Sequence, residues 1–332
     1  MYPALFPFKS KAQWLIFLRD GFDLAKGETL VADRLLSKKV LPVVHGHYLA
    51  DFLGVSRKLV THMAKWPDRY YRTFQIPKKS GGSRSITAPR VYLKVVQRYL
   101  LDCILNQIPV HRCAVGFVTG RNCRDGAKQH VKRSFLWNID LKDFFPSIRF
   151  EQVETIYLDI GFPEHAARFL ARLCCLNGRL PQGAPTSPVI SNLVFFELDR
   201  LLFEKAKLLK LTYTRYADDL SFSGNEPITD QFRNEVAALV QAHRFTINRR
   251  KERLIGPKAR REVTGLTVNA KVTVPRKRRR EIRALFHQIN LKPGNFTAEK
   301  ARALGLAAWI FEYHEVEGRR YLDIARSIPD SE

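Results

Sequence analysis

The sequence predicts an α+β fold with a helical C-terminal unit, and three observations support this prediction. Short β-branched and aromatic runs alternate with helical patterns between about residues 70 and 223. From residue 276 onward, apolar residues recur at helical spacing. The chain has 332 residues, 45% of them hydrophobic, which is enough for about two domains with a substantial core.

Local patterns predict the individual elements. The expected helices lie within residues 10–60 and over 91–108, 187–203 and 276–328, the last interrupted at Pro293-Gly294. In the helix over 187–203, Ser187 can act as the cap and Pro188 takes the first position. The expected strands are residues 70–76 and 83–87, joined by a turn over 79–82, then 135–141, and a hairpin over 211–223.

The composition indicates a polyanionic partner. Lys and Arg number 56 against 32 Asp and Glu, a formal net charge of +24. Nucleic acid is the leading candidate and an anionic membrane surface is the second. No stretch approaches the roughly 18 apolar residues of a spanning helix, and the N-terminus lacks the pattern of a signal peptide. Five cysteines without a CxxC pair favour free thiols and a cytoplasmic location.

Half of this charge is concentrated in one segment. Residues 244–283 contain 15 Lys and Arg and three acids, with the densest run at Arg276, Lys277, Arg278, Arg279 and Arg280. A solvated helix face or a disordered basic tail is the alternative. The helical spacing of Ile282, Leu285, Phe286 and Ile289 favours a helix with a basic start, and Pro275 suits its first turn. Such a start attracts phosphate.

The hairpin over 211–223 carries two adjacent acids, Asp218 and Asp219, at its turn. A tight turn is usually built with Asn-Gly or Asp-Gly, and here the turn pair is either Ala217-Asp218 or Asp218-Asp219. Two like charges at one tip repel each other, and a divalent cation would relieve that repulsion. An Asp-Asp pair alone is also compatible with a solvated turn.

Two further segments support a functional reading. Asp140 ends a strand and is followed by the aromatic residues Phe144 and Phe145, and a Gly/Pro-rich loop over 180–188 leads directly into a helix. With Tyr216-Ala217-Asp218-Asp219, these segments resemble motifs A, B and C of the reverse transcriptase family, in order. The resemblance implies a right-hand polymerase fold, with fingers, a palm built on an antiparallel sheet, and a helical thumb.

The resemblance also implies an RNA-directed DNA polymerase that uses two Mg²⁺ ions. Magnesium prefers hard oxygen ligands, and Asp140 and Asp218 are expected to bridge the ions with help from Asp219. The backbone carbonyl of Leu141 would add a ligand. Asp143 is expected to serve as a helix-start cap rather than as a catalytic group.

The family also implies which groups contact the incoming dNTP. Phe145 would lie beneath the sugar and exclude a 2′-hydroxyl, although one of the two phenylalanines is expected to be core. Gln182 would contact the nucleotide or template. Lys78, with Lys79 as a near rival, and Arg84 would clamp the triphosphate. Lys251 would protonate the pyrophosphate or simply contact phosphate.

Within this family the compact chain is most similar to bacterial retron enzymes. The run from Tyr48 to Ser56 resembles their start, and Val263-Thr264-Gly265 matches a signature of their RNA-recognising region. A second signature, NAxxH, stands here as Gly126-Ala127-Lys128-Gln129-His130, with glycine in place of asparagine. His130 is either a contact in this region or a core histidine.

The retron resemblance implies a partner and a product. The enzyme would bind its own structured noncoding RNA, prime DNA synthesis from an internal guanosine 2′-hydroxyl, and leave a branched RNA–DNA molecule (msDNA). An effector protein would act beside it in anti-phage defence, and Arg276–Arg280 would hold the RNA or the hybrid. The expected domains are a helical extension over 1–60, fingers over 61–135, palm over 136–268 and thumb over 269–332.

Three alternatives stay open from the sequence. One is another templated lineage, such as a diversity-generating or intron-related enzyme. Another is a non-catalytic RNA-binding scaffold on the same fold. The third is untemplated DNA synthesis.

Overall fold

The fold is described from a computed structural model that covers residues 13, 14, 18, 25–77 and 81–330. The elements before the central sheet are mostly helical: α1 (Lys26–Ser37), α2 (Tyr48–Leu53), α3 (Arg57–Lys65), a 3-10 turn (Pro67–Tyr70), the hairpin of β1 (Tyr71–Pro77) and β2 (Ser83–Pro89), α4 (Val91–Cys103), a second 3-10 turn (Leu105–Gln107) and α5 (Cys123–Gln129).

The central sheet has four antiparallel strands in the order β4–β5–β3–β6. Its strands are β3 (Phe135–Asp140), β4 (Thr212–Tyr216), β5 (Asp219–Gly224) and β6 (Arg253–Ile255). The helices inserted between them are α6 (Phe144–Ser147), α7 (Phe150–Ile160), α8 (Glu164–Cys174), α9 (Ser187–Val194), α10 (Phe196–Leu208) and α11 (Asp230–Ala242).

The C-terminal unit begins with a small hairpin and is otherwise helical: β7 (Glu262–Val263), β8 (Leu266–Thr267), α12 (Arg276–Leu291), a 3-10 segment (Pro293–Glu299), α13 (Lys300–Phe311) and α14 (Glu315–Arg326). The apolar stripe predicted for α12 is confirmed, since Ile282, Phe286 and Ile289 are buried and Leu285 packs against them. The predicted interruption lies at the 3-10 segment.

The structure corrects two details of the helix prediction. The expected helix over 187–203 is two helices, α9 and α10, which meet at Phe195. Ser187 is the first residue of α9, and its N-cap is Thr186. The Ser187 hydroxyl instead donates to the carbonyl of Pro181 at 2.7 Å, which closes the preceding loop on itself.

Two hydrophobic cores meet at β3. Trp137 and Ile139 point to one face of the sheet, into a core shared by the N-terminal helices and the helices between the strands. Leu136 points to the opposite face, where it joins Ala127 and the buried residues of the C-terminal unit. The alternation follows from the two-residue period of a strand. The helical C-terminal unit therefore packs on the face of the sheet opposite Trp137 and Ile139.

His130 fastens α5 to the central hairpin. Its fully buried ring lies 2.7 Å from Ser223 Oγ of β5 through Nδ1 and 2.7 Å from Thr214 Oγ1 of β4 through Nε2. Burial, together with the charge of Arg133, lowers the pKa of His130 to about 3, so the ring is neutral and one nitrogen donates while the other accepts. The prediction that His130 contacts RNA is wrong, because its side chain is enclosed by protein.

The state of the cysteines and the length of the helices test the expectations of free thiols and of no membrane-spanning helix. All five cysteines are free, and all but the half-buried Cys123 are buried. Burial raises the pKa of Cys174 to about 11, so this thiol stays protonated. Among the described residues, no helix has the length and apolar character needed to cross a membrane.

His130→Ala should lower the free energy of unfolding by about 1–3 kcal/mol, because the buried hydroxyls of Ser223 and Thr214 lose their partner. Urea unfolding measures the change. His287→Ala is the matched control, since His287 is exposed on α12 and its loss should change stability by no more than about 0.5 kcal/mol. Equal stability of the two variants would contradict the proposed role of His130.

Candidate active site

Three acids that are distant in sequence meet at one end of the central sheet. Asp140, the last residue of β3, is the register partner of Asp219, the first residue of β5. The backbone N–H of Leu141 donates to the carbonyl of Asp218 at 3.0 Å, which extends the pairing by one residue. The antiparallel register thus places Asp140, Asp218 and Asp219 side by side.

The acids sit at a strained two-residue turn. Tyr216 pairs with Asp219, so the loop residues are Ala217 and Asp218, the first of the two turn pairs that the sequence allowed. Ala217 has a φ of 55°, a value that favours glycine, whereas Asp218 is not among the residues with positive φ. This is the pattern of a type II′ hairpin turn, in which glycine is preferred at the first position.

Asp140 is held by two residues that follow the hairpin. The Lys251 ammonium lies 2.7 Å from Asp140 Oδ2, and the Asn248 side-chain amide donates to Asp140 Oδ1 at 3.2 Å. The Asn248 backbone N–H also donates to the Asp140 carbonyl at 2.8 Å. The hydrogen bond to Asp140 raises the pKa of Lys251. Asn248 was not singled out from the sequence, where nothing distinguishes it from a surface asparagine.

The protein environment disfavours ionisation of the acid pair. Desolvation by burial raises the pKa of Asp219 to about 6, with further increases from the charges of Asp218 and Asp140. Desolvation also raises the pKa of Asp218, and the charge of Asp140 adds to this effect. A cation at this site would offset both causes, because it neutralises the mutual repulsion.

These carboxylates fit a divalent cation by their chemistry. Ionised carboxylates are the hard oxygen ligands that Mg²⁺ prefers, and the Lys251 ammonium already provides one positive charge beside Asp140. Within the described ranges, no group of three or more His, Cys, Asp and Glu side chains has its ligand atoms arranged for a metal ion. Lys251 and Asn248 each contact one oxygen of Asp140, so an ion bound to Asp140 would either share this carboxylate with the Lys251 ammonium or displace the ammonium.

Aromatic rings border the turn. Phe144 is buried against Phe195 and Phe245 and belongs to the core, as expected for one of the two phenylalanines. Phe145 is half-buried, and its ring centroid lies 6.1 Å from that of Phe117. Phe117, which is partly exposed with a positive φ, in turn lies 6.2 Å from Tyr216. Nothing in the sequence distinguishes Phe117 from other aromatic residues.

The loop before α9 is tied to the β1–β2 hairpin. The Thr87 backbone N–H donates to the carbonyl of Gln182 at 2.9 Å. A Cβ added at Gly183 would lie 2.9 Å from Ile86 Cγ2 and 3.0 Å from the Thr87 carbonyl, and its φ is 132°, so only glycine fits here. Gln182 itself is half-buried.

Of the cations predicted on the β1–β2 hairpin, the structure describes Arg84. Arg84 is exposed in β2 opposite Ile76, and its charge acts to lower the pKa of Asp218. Lys78 and its rival Lys79 lie outside the described residues. Asp143 is the N-cap of α6, as predicted by position, but its side chain makes no capping hydrogen bond.

The residues predicted to contact RNA fall into two groups. Val263 is buried in the core of the C-terminal unit, so the prediction that its side chain contacts RNA is wrong. Thr264 and Gly265 form the two-residue turn between β7 and β8, both with positive φ. The Thr264 hydroxyl donates to the carbonyls of Val263 and Cys123, at 2.8 and 3.3 Å, and Gly265 is exposed.

The basic run forms the first turns of α12, preceded by Pro275 as N-cap. Arg279 is paired with Glu317 of α14 at 2.5 Å, and Arg278 with Glu281 at 3.0 Å. Arg276, Lys277 and Arg280 are exposed and form no ion pair within the described part of the chain. These three charges are therefore available to an anionic partner.

The sequence matches a known protein family. Residues 76–306 match the family model described as reverse transcriptase (RNA-dependent DNA polymerase). The chain is 37% identical to the retron Mx65 reverse transcriptase of Myxococcus xanthus, over 78% of this chain and 65% of that protein. It is 32% identical to the retron Mx162 reverse transcriptase of the same organism (92% and 70%) and 32% identical to the retron Ec86 reverse transcriptase of Escherichia coli (75% and 79%).

The acid pair should contribute a loss of stability to the metal-free protein as pH rises from about 4 to above 6. The folded state keeps a proton on Asp219 up to about pH 6, whereas the unfolded chain releases it near the ordinary Asp pKa of about 4. Added Mg²⁺ should offset the fall, because it binds the ionised acids. Urea unfolding at several pH values, with a chelator and with Mg²⁺, measures both effects.

The control for this titration is Asp218→Asn combined with Asp219→Asn, which removes the two groups with raised pKa values. The pH dependence of its stability should be flatter than that of the wild type over the same interval. Identical profiles for the two proteins would show that the acid pair does not cause the fall.

Proposed function

We propose that this chain, which belongs to the reverse transcriptase family and is a retron reverse transcriptase, copies part of its own structured noncoding RNA into DNA. Synthesis would start from the 2′-hydroxyl of an internal guanosine and leave a branched RNA–DNA product. The observation that carries the proposal is the meeting of Asp140, Asp218 and Asp219 at one end of β3 and β5.

Divalent ions would supply part of the chemistry. When bound, two Mg²⁺ ions would activate the attacking hydroxyl and neutralise the charge on the leaving pyrophosphate. Asp140 and Asp218 would hold both ions, with Asp219 and the Leu141 carbonyl completing the ligand set. Burial and the neighbouring carboxylates raise the pKa values of Asp218 and Asp219, and a bound cation would offset both causes, which supports this assignment.

Lys251 would act as the proton donor. Its contact with Asp140 places the ammonium at the site, and its raised pKa keeps it protonated at neutral pH. If a divalent ion displaced it from Asp140, the ammonium would be free to turn to the phosphates and donate a proton to the leaving pyrophosphate. A purely electrostatic contact with the same phosphates is the alternative role.

The surrounding groups would select and orient the dNTP. Arg84, whose charge acts on Asp218, and Lys78 would bind the triphosphate. Phe145 would lie beneath the sugar, and its neighbour Phe117 would support it. Gln182, whose carbonyl is fixed by Thr87, would contact the nucleotide or template from the loop before α9.

The C-terminal unit would hold the RNA. Arg276, Lys277 and Arg280 present free charge at the start of α12, where the helix dipole also favours phosphate. Arg278 and Arg279 contribute less charge because acids pair with them. In this proposal residues 61–135 are fingers, 136–268 palm and 269–332 thumb, and an effector protein acts beside the enzyme in anti-phage defence.

The test of the proposed function combines product and site. The chain is purified from cells that carry its native operon, and the bound nucleic acid is treated with ribonuclease and with deoxyribonuclease. Wild type should carry a species with both an RNA part and a DNA part. Asp218→Ala with Asp219→Ala should carry RNA alone, because DNA synthesis is abolished while the basic unit still binds RNA.

Three outcomes of that experiment would contradict the proposal. A wild-type chain that carries RNA but no DNA would favour an RNA-binding scaffold. A double variant that still makes DNA would show that the acids are wrongly assigned. DNA without an attached RNA part would favour another lineage or untemplated synthesis.

Replacing Arg276, Lys277 and Arg280 by Gln should weaken RNA binding and reduce its dependence on salt. Each lost phosphate contact should lower the slope of log K against log salt by about 0.7 to 0.9, because fewer counterions are released. Binding to the cognate RNA at several salt concentrations measures the slope. Arg279→Gln, which removes a charge already paired with Glu317, is the matched control and should change the slope less. An unchanged slope in the triple variant would mean that this face does not contact RNA.

A further inference from the structure

A buried ionic network lies directly beneath the strained turn that carries the acids. It consists of Asn192 on α9, Asp199 on α10 and Arg215 on β4, and each of these side chains is fully buried. We call these three residues the turn-support network. A buried charge is expensive unless all of its hydrogen bonds are made, so the partners of Arg215 show what it is there to hold.

One edge of the Arg215 guanidinium binds a carboxylate. Its Nε and Nη2 donate to Asp199, at 2.9 Å to Oδ1 and 2.6 Å to Oδ2, in a bidentate pair. Tyr213 also donates to Asp199 Oδ1 at 2.9 Å, and the ring of Phe195 lies 4.4 Å from the guanidinium carbon. These contacts fix the plane of the guanidinium.

The remaining edge of Arg215 is directed at the turn. Its Nη1 donates to the carbonyl of Ala217 at 3.2 Å and to Asn192 Oδ1 at 3.0 Å. Ala217 is the strained residue of the turn and directly precedes Asp218. A buried charged donor therefore binds the one peptide unit whose orientation sets the direction of the acid pair.

Asn192 extends the support to the other side of the turn. Its amide donates to the carbonyl of Gly116 at 3.0 Å. Gly116 lies so close to the turn that a Cβ added to it would be 2.8 Å from the Ala217 nitrogen. The neighbouring backbone is also fixed, since Val115 N–H donates to the Arg215 carbonyl at 2.8 Å. Ala217 is thus held between Gly116 and Arg215.

We infer that the turn-support network positions the acid pair for metal binding, so that Asn192, Asp199 and Arg215 are positioning residues of the reaction. Positive φ at an alanine is unfavourable, and it persists only where the surroundings enforce it. The network supplies that constraint from α9 and α10, the helices that follow the Gln182 loop. This inference rests on the proposed function, because it takes Asp218 and Asp219 as the metal-binding pair.

The test measures metal binding itself. Mn²⁺ alone is titrated into the full chain, and the free ion is followed by electron paramagnetic resonance. Asn192→Ala should weaken Mn²⁺ binding by about 10- to 100-fold, as is usual when a residue that orients metal ligands is lost. The Mg²⁺ concentration for half-maximal DNA synthesis should rise in the same direction. A purely structural role would lower the melting temperature and leave both metal readings unchanged.

Two further variants keep the inference falsifiable. Asn192→Asp is isosteric but replaces the donor to Gly116 by an acceptor, so it should also weaken Mn²⁺ binding and gives a second reading even if Asn192→Ala does not fold. Gln97→Ala is the matched control: Gln97 is fully buried and donates to Tyr71 and to the Leu173 carbonyl, both at 2.7 Å, away from the turn. It should lose stability without losing Mn²⁺ affinity.

Coupling to the strained residue gives an independent check. Glycine tolerates positive φ, so the loss of Mn²⁺ affinity caused by Asn192→Ala should be smaller when Ala217→Gly is also present. Strict additivity, or equal Mn²⁺ affinities of Asn192→Ala or Asn192→Asp and the wild type, would overturn this inference alone. A wild-type chain that binds no Mn²⁺ would overturn the proposed function and this inference together.

Discussion

The site depends on one constraint, the antiparallel register that pairs Asp140 with Asp219. A shift of one residue would turn the side chains of β5 to the opposite face of the sheet and separate the acids. The two cores on either side of β3 fix this register, because Trp137 and Ile139 must face one core and Leu136 the other. Hydrophobic packing therefore determines where the charges meet.

The cost of bringing the acids together is visible in their surroundings. The pKa values of Asp218 and Asp219 are raised, and Ala217 takes a conformation that suits glycine. Two cations compensate from different sides. Lys251 lies at the open side and can exchange, whereas Arg215 is buried and paired with Asp199. In the proposed mechanism, the exposed Lys251 ammonium acts on the phosphates and the buried Arg215 guanidinium holds the turn.

The acids and the C-terminal unit lie on the same face of the sheet, because Asp140 is an even number of residues from Leu136 along β3. The C-terminal unit packs against β3 through Leu136, and its free arginines and lysine lie at the start of α12. His130 was expected among the RNA contacts, yet it is neutral and joins α5 to both strands of the central hairpin. His130 therefore has a structural role in joining these elements.

The sequence by itself determined the class of fold, the elements around the acids and the three acids themselves, because strand periodicity and local motifs are encoded over a few residues. It left the turn pair undecided and could not separate a core histidine from a contact. Only the tertiary structure decided that Phe144 is core, that Val263 and His130 are buried, and that Asn192, Asp199 and Arg215 meet beneath Ala217. Such contacts join residues distant in sequence, and no local pattern specifies which buried polar groups will find each other.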